Sequence, residues 1–131
     1  MEPNNGTPRK RHVLIVDDDI PLAWSLKEIL ESDGYEATIV PDGVLALKFV
    51  LDHHLDAVVC DLQMSRVEAD LLYATVERSN PSLARRFIFI TGLDDGPQFQ
   101  KFIDTTELPA LRKPVALDAL RGEVMRVAER R

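Results

Sequence analysis

Residues 13–19 read Val-Leu-Ile-Val-Asp-Asp-Asp, and the rest of the chain repeats the pattern that they begin. An unbroken, β-branched apolar run bounded by charge is typical of a strand that is buried on both faces of a sheet. Pro21 suits the first turn of a helix, and apolar residues then recur at helical spacing as far as about Ser32. Gly34 is a plausible end for this helix. The stretch predicts a β–α unit with acidic residues at the carboxyl end of its strand.

The same alternation recurs along the chain. Apolar runs predict four further strands, at residues 37–40, 57–60, 87–90 and 110–112. Each is followed by apolar residues at helical spacing, and the fourth helix opens near Pro97. Unbroken apolar strands that alternate with helices imply a parallel sheet covered on both faces, and right-handed crossovers allow this only where the strand order reverses once. We therefore expect a doubly wound α/β fold with a five-stranded parallel sheet.

Length and composition bound the possible functions. The chain has 131 residues, of which 45 % are hydrophobic and 29 % charged, as in one soluble globular domain. This excludes a disordered chain, a collagen-like repeat and a coiled coil. Residues 1–11 are polar and end in three basic residues, so we expect a disordered lead-in there and one folded domain over 12–131. The net charge of −6 predicts no nucleic-acid partner, because such binding neutralises phosphates.

The sequence predicts a cytoplasmic protein with no membrane partner. Its longest apolar runs fall far short of the roughly 20 residues that span a bilayer, and residues 1–8 lack the apolar core of a secretory signal. The single cysteine, Cys60, cannot form an internal disulfide, so the fold needs no oxidising compartment. We expect Cys60 in the core and Trp24 partly exposed. The three histidines, His12, His53 and His54, are expected at the surface.

Polar residues follow the predicted strands at the points where they end. Residues 17–19 follow the first strand, Asp61 the third, Thr91 the fourth and Lys113 the fifth. In parallel sheets of this kind ligands bind at the carboxyl ends of the strands. Crowded carboxylates repel one another unless a cation lies among them, and carboxylate oxygens suit Mg²⁺. A lysine and a hydroxyl group add two phosphate contacts, so the set predicts a metal-assisted phosphoryl site. The three aspartates at 17–19 could instead only cap the first helix.

In this order and placement, the motifs resemble the receiver domain of two-component response regulators. The matching segments are Val-Asp-Asp at 16–18, Pro-Asp-Gly-x-x-Ala-Leu at 41–47, Asp-Leu-Gln-Met at 61–64, Thr91 and Lys113-Pro114. The resemblance covers nearly the whole chain, from about residue 13 to about residue 128. It implies a flavodoxin-like (βα)5 fold, of the type found alone or joined to hybrid sensor histidine kinases.

The resemblance implies a role for each acidic residue. Asp61 would be the phosphoacceptor, taking a phosphoryl group from a phosphohistidine on a sensor histidine kinase or a histidine phosphotransfer protein. Mg²⁺ would be held by Asp18, by Asp17 directly or through water, by Asp61, and by the backbone carbonyl of Gln63. The product would be an aspartyl phosphate that water can hydrolyse, and the Gln63 side chain is well placed to influence its lifetime. The protein would be a signalling phosphoacceptor and not an enzyme in the ordinary sense.

The remaining site residues would act on the phosphoryl group. The Thr91 hydroxyl would contact a phosphoryl oxygen, and Lys113 would pair with the same group. Pro114 would follow a cis peptide bond. Output would pass through a downstream protein partner, and a homodimer would form through the fourth predicted helix, the fifth strand and the fifth helix.

The chain departs from the family pattern at several positions, among them Ser65, Ala110 and Val115. Ser65 stands where proline usually follows Met64, and Val115 replaces a frequent aromatic residue after Lys113-Pro114. Ala110 occupies a position that carries Tyr or Phe in many receivers. In those proteins the ring changes rotamer with the hydroxyl residue, so this chain is expected to lack the aromatic switch.

Two other functions fit parts of the sequence. A Mg²⁺-dependent aspartyl-phosphate hydrolase of the haloacid dehalogenase type would use Asp17 as nucleophile in an Asp17-x-Asp19 motif, although Pro21 stands where a hydroxyl residue is expected. The chain also has little length for a substrate cap. Alternatively, the domain is a phosphorylation-independent interaction module that keeps only the fold.

Overall fold

The computed structural model describes residues 9–63, 69–92 and 97–129. It contains five strands, with the bounds β1 His12–Val16, β2 Glu36–Val40, β3 Ala57–Asp61, β4 Phe87–Thr91 and β5 Ala110–Arg112. Six helices connect and follow them: α1 Ile20–Ser32, α2 Gly43–Asp52, α3 Ala69–Ser79, α4 Pro81–Ala84, α5 Pro97–Thr106 and α6 Leu117–Ala128. The fourth and fifth predicted helices are therefore α5 and α6.

The strands form one parallel sheet in the order β2-β1-β3-β4-β5. The order reverses once, because β2 pairs on one side of β1 and β3 on the other. Helices α1 and α6 cover one face, and α2 to α5 cover the opposite face. The predicted doubly wound, flavodoxin-like fold is confirmed. The reversal lies between β1 and β3, so ligands are expected at the carboxyl ends of these two strands.

The side chains of each central strand alternate between two hydrophobic cores, one on each face of the sheet. Leu14 and Val16 of β1 face the core under α2 and α3, whereas Val13 and Ile15 face the core under α1 and α6. All four side chains are fully buried. This alternation explains why the strands are unbroken apolar runs, since both faces of the sheet are covered.

Local sequence signals account for the helix ends. The Asp42 carboxylate accepts a hydrogen bond from the Leu45 N–H and caps α2. Gly34 follows α1 with φ of +97°, a conformation that favours glycine. One helix was missing from the sequence-based expectation: α4 is a single turn, capped by Asn80 and begun by Pro81. Such a short element has no apolar periodicity, and Asn-Pro was its only signal.

The surface expectation for His12 is wrong. Only 9 % of His12 is exposed, because β1 begins at this residue and its ring packs edge-on against Phe49 of α2 at 5.6 Å. Its Nε2 lies 2.8 Å from the Thr38 hydroxyl, and its backbone N–H donates to the Asp56 carboxylate. Burial lowers the pKa of His12. The ring is therefore part of the packing between β1 and α2.

The expectations for Cys60 and Trp24 are confirmed. Cys60 is fully buried, and burial raises the pKa of its thiol, which makes it a core residue. Trp24 is 53 % exposed, and the ammonium group of Lys27 lies 5.8 Å from its ring centre. In the three described ranges, every helix is too short or too polar to cross a bilayer. The predicted lead-in lies outside the described residues up to residue 8, and residues 9–11 are exposed.

Candidate functional site

The strand register brings the polar residues that follow the strands to one edge of the sheet. Asp17 and Asp61 leave β1 and β3 side by side, because the residues before them are paired. Thr91 ends β4 beside β3, and its carbonyl accepts a hydrogen bond from the Lys113 N–H at 2.8 Å. The fold thus gathers residues from four strand ends that are distant in sequence.

The Asp61 carboxylate is the centre of this edge. Asp61 is only 2 % exposed. Its Oδ2 lies 3.0 Å from Lys113 Nζ, and its Oδ1 accepts a hydrogen bond from the Gln63 N–H at 2.9 Å. A buried carboxylate is costly unless it is paired and hydrogen-bonded, and here each oxygen has a partner. The Lys113 side chain remains 28 % exposed, so the ion pair faces the open edge of the site.

Asp17 is buried with half of its carboxylate unsatisfied. It is 1 % exposed, and its Oδ1 accepts a hydrogen bond from the Asp19 N–H at 2.9 Å. Its Oδ2 is the one buried side-chain polar atom without a hydrogen-bond partner in the described part of the chain. An unsatisfied buried oxygen is expensive, and its presence in a cluster of carboxylates indicates a binding site for a cation.

The electrostatics of the site agree with this geometry. Burial raises the pKa of Asp17 to about 7, and the charge of Asp61 acts in the same direction. Burial lowers the pKa of Lys113, but its hydrogen bond to Asp61 and the nearby carboxylates have a larger combined effect, so the net pKa is raised. Lys113 therefore stays protonated and positively charged at neutral pH. Asp17, in contrast, carries its negative charge only at a considerable cost in free energy.

The residues present fit a hard divalent cation. Asp17, Asp18 and Asp61 each offer one carboxylate oxygen, and these atoms lie within 4.8 Å of one another. Oxygen-only ligands of this kind suit Mg²⁺, which keeps several waters in its coordination shell. Asp18 is exposed, so the cluster is open to solvent on one side.

The structure divides the three consecutive aspartates between two tasks. Asp17 and Asp18 belong to the acidic cluster, whereas the Asp19 Oδ1 accepts a hydrogen bond from the Leu22 N–H and caps α1. The helix-cap interpretation therefore holds for Asp19 alone. Pro21 was the sequence signal that separates Asp19 from the other two aspartates. Proline is favoured in the first turn of a helix, so Pro21 at the second helical position makes Asp19, two residues earlier, the N-cap. The Asp19 backbone N–H also orients Asp17, a role that the sequence analysis missed.

The other predicted site residues lie at the same edge with less defined contacts. Thr91 is half-buried, and Gln63 is exposed with its backbone N–H bound to Asp61. The Lys113–Pro114 peptide bond is cis, as the resemblance implied. Ala110 is exposed in β5. The departure at Ser65, and Met64 before it, lie outside the described residues.

Comparisons with known proteins agree with the family resemblance found in the sequence. A family model described as "Response regulator receiver domain" matches residues 13–125. "Response regulator MprA" of Mycobacterium sp. (strain KMS) is 30 % identical over 108 residues, which cover 82 % of this chain and 46 % of that protein. "Transcriptional regulatory protein GlrR" of Escherichia coli (strain K12) is 29 % identical over 83 % of this chain and 24 % of its own length. The chain thus spans about half or less of these curated relatives.

Solved structures share the fold. A CheY-like response regulator receiver domain protein from Methanospirillum hungatei JF-1 has a TM-score of 0.83 and 23 % identity, with 92 % of this chain and 95 % of that chain covered. A Francisella response regulator receiver domain has a TM-score of 0.78 and 24 % identity, with coverage of 92 % and 98 %. At this level of identity the likeness concerns the fold.

Proposed function

The chain belongs to the response regulator receiver domain family, and we propose that it accepts a phosphoryl group on Asp61 from a phosphohistidine. One observation carries the proposal: the buried Asp61 carboxylate lies 3.0 Å from Lys113 and beside two further carboxylates. This arrangement pairs a nucleophile with the positive charge that a phosphoryl group needs. The donor would be a sensor histidine kinase or a histidine phosphotransfer protein.

The chemistry requires no protein base. An oxygen of Asp61 attacks phosphorus, a P–O bond forms, and the P–N bond to the donor imidazole breaks with its electron pair left on nitrogen. The product is a mixed anhydride on Asp61. Phosphoryl transfer depends mainly on positioning and on charge stabilisation at the equatorial oxygens. Lys113 would supply one positive charge by moving from Asp61 to the phosphoryl oxygens, and the Thr91 hydroxyl would donate to another of them.

Mg²⁺ is the proposed cofactor. Asp17, Asp18, Asp61 and the backbone carbonyl of Gln63 would hold it, and when bound it would neutralise negative charge on the phosphoryl oxygens. The unsatisfied Oδ2 of Asp17 supports this assignment, because a cation would give that buried oxygen a partner. The Asp19 N–H keeps Asp17 oriented toward the cluster.

Asp61→Asn is expected to abolish phosphorylation, since the amide replaces the nucleophilic carboxylate. The protein is incubated with Mg²⁺ and a small acyl phosphate, and the intact mass is measured after a rapid quench. Wild type should gain one phosphoryl group only when Mg²⁺ is present, and Asp17→Asn should lose part of this gain. Asp118→Asn is the matched control, because its side chain is 97 % exposed, and it should behave as wild type.

Other outcomes of this experiment would contradict the proposal. Steady release of free phosphate that needs Asp17 but survives Asp61→Asn would identify the hydrolase of the haloacid dehalogenase type. Absence of both phosphorylation and phosphate release would leave the interaction module. The raised pKa of Asp17 and the use of Asp19 as a helix cap both argue against Asp17 as the nucleophile.

Gln63→Ala is expected to lengthen the lifetime of the aspartyl phosphate. The exposed Gln63 side chain lies two residues from Asp61, where its amide can orient an attacking water. Loss of this group should slow the first-order decay about 2- to 10-fold, or roughly 0.4 to 1.4 kcal/mol in activation free energy. Decay is followed by intact mass after removal of the phosphodonor. Gln100→Ala on α5 is the control, and an unchanged decay rate in Gln63→Ala would refute this role.

The proposed output is contact with a downstream protein. The charge of about −2 on the phosphoryl group would bias a two-state equilibrium of the domain. A homodimer through α5, β5 and α6 remains a prediction for the phosphorylated protein. The buried free thiol of Cys60 suits a reducing compartment, so we propose that the reaction takes place in the cytoplasm. We further propose residues 12–131 as the receiver unit, with residues 1–11 as the lead-in that precedes it.

A further inference from the structure

The outer surface of α2 exposes three large apolar side chains. Val44, Leu45 and Leu51 are 38 %, 40 % and 72 % exposed, and they make up three of the eight large apolar side chains exposed among the described residues. The ten residues of α2 contain only two charges, Lys48 and Asp52. A helix that is apolar on all sides is normally covered on all sides, and a contiguous exposed apolar patch marks an interaction surface.

The apolar surface continues onto the edge of the sheet. A groove of about 310 Å³ runs between α2 and β2, with Ile39, Pro41, Leu45 and Phe49 in its lining. β2 is an edge strand, which could in principle be extended by an added strand. However, Lys27 of α1 donates a hydrogen bond to the Ala37 carbonyl of β2. This contact obstructs an extended peptide and favours an occupant that packs against side chains.

The two charged residues on the outer face of α2, Lys48 and Asp52, indicate what kind of surface could pack against it. Lys48 and Asp52 are one helical turn apart, and neither has an ion-pair partner in the part of the chain that the structure describes. A complementary surface must offer an anion and a cation in the reverse order. A second copy of α2 could pack antiparallel to the first, with a twofold axis at the level midway between Lys48 and Asp52. In that arrangement each Lys48 lies opposite Asp52 of the other copy. The same axis brings Leu51 of one copy to the level of Phe49 of the other.

We propose that the outer face of α2 and the adjoining β2 groove form an interface with a second copy of this chain. The interface would be isologous, with two reciprocal Lys48–Asp52 ion pairs on either side of the twofold axis and exposed apolar side chains of α2 beside them. It lies on a different element from the Asp61 site, and it needs neither Mg²⁺ nor phosphorylation. Asp61→Asn is therefore expected to self-associate as wild type does, which separates this proposal from the proposed function.

Sedimentation equilibrium over a range of protein concentrations tests the interface. Wild type should show a monomer–dimer equilibrium, and Leu51→Lys should raise the dimer Kd at least about tenfold, equivalent to about 1.4 kcal/mol. Because Leu51 is 72 % exposed, this change should leave the thermal midpoint of the monomer unaltered. Leu71→Lys, at a 56 % exposed leucine of α3, is the matched control and should dimerise normally.

A charge exchange tests the pairing itself. Lys48→Asp and Asp52→Lys should each weaken the dimer, and the double variant should restore the Kd to within about threefold of wild type, because reciprocal pairs are reformed. A wild type that stays monomeric at all concentrations, or a double variant that does not recover, would overturn the proposal. A dimer lost in Leu117→Lys of α6 but kept in Leu51→Lys would place the interface elsewhere and would also overturn it.

Discussion

Asp17→Asn is expected to make the metal-free protein more stable than wild type at pH 8, by on the order of 2 to 4 kcal/mol. In the folded protein, burial and the neighbouring Asp61 raise the pKa of Asp17 to about 7. In the unfolded chain an aspartate titrates near its usual pKa of about 3.9. The folded state therefore binds more protons than the unfolded state between these two values, and its free energy of unfolding falls as the pH rises through this window.

The sign of this effect gives a pH-dependent test. Below about pH 3 the carboxyl group is neutral in both states, so wild type and Asp17→Asn should differ little. The difference should grow between about pH 4 and pH 7 and stay constant above it. Urea unfolding at several pH values, with a chelator present, measures the free energy of unfolding at each point. A difference that is independent of pH would refute the assignment to Asp17 titration.

Mg²⁺ and a second variant provide the controls. A cation that binds only the folded state stabilises it by an amount that rises with the logarithm of its concentration relative to Kd. Mg²⁺ should therefore stabilise wild type more than Asp17→Asn and narrow the difference in free energy of unfolding between them. Asp18→Asn removes a charge from an exposed member of the same cluster, and it should alter stability much less. Equal stabilisation of all three proteins by Mg²⁺ would contradict the proposed metal site.

Much of the fold could be predicted because its signals are local. Unbroken apolar runs marked the strands. Asp42 marked the start of α2, and Gly34 marked the end of α1. The candidate site could also be predicted, since residues at successive strand ends of a parallel sheet must meet at one edge. Neither the fold nor the site required knowledge of a contact between residues that are distant in the sequence. The one exception is the reversal in strand order, which concerns how distant strands pair.

What could not be predicted depends on contacts between distant parts of the chain. The burial of His12 requires Phe49 of α2 above it and Thr38 of β2 beside it, and neither contact is encoded in the spacing around residue 12. The different tasks of Asp17 and Asp19 likewise depend on where α1 begins, which a run of identical residues leaves ambiguous. The exposed apolar face of α2 was also hidden, because helical periodicity alone does not reveal which side remains uncovered.

Phe89→Ala is expected to lower the free energy of unfolding by about 3 to 5 kcal/mol, the range observed when a buried phenylalanine is truncated. Phe89 is fully buried in β4. Its ring lies 5.9 Å from that of Tyr73 on α3 and 5.2 Å from that of Phe102 on α5. Truncation therefore leaves a cavity and removes edge-on aromatic contacts with two helices at once. Urea unfolding measures the change, and Phe89→Leu should cost less than half as much.

The same variant should affect α5 more than the other long helices. Among the side chains described in α5 none is fully buried, and Phe102 is its aromatic contact with the sheet. Helices α1 and α6 each bury at least three residues in the opposite core. Since an element with little buried apolar surface opens most easily, loss of Phe89 should speed amide exchange in α5 before it does so in α1 or α6. Uniform acceleration across all helices would instead mean that Phe89 supports only global stability. A selective effect would mean that α5, which follows Thr91 in the chain, is the element that a change at the site can displace most readily.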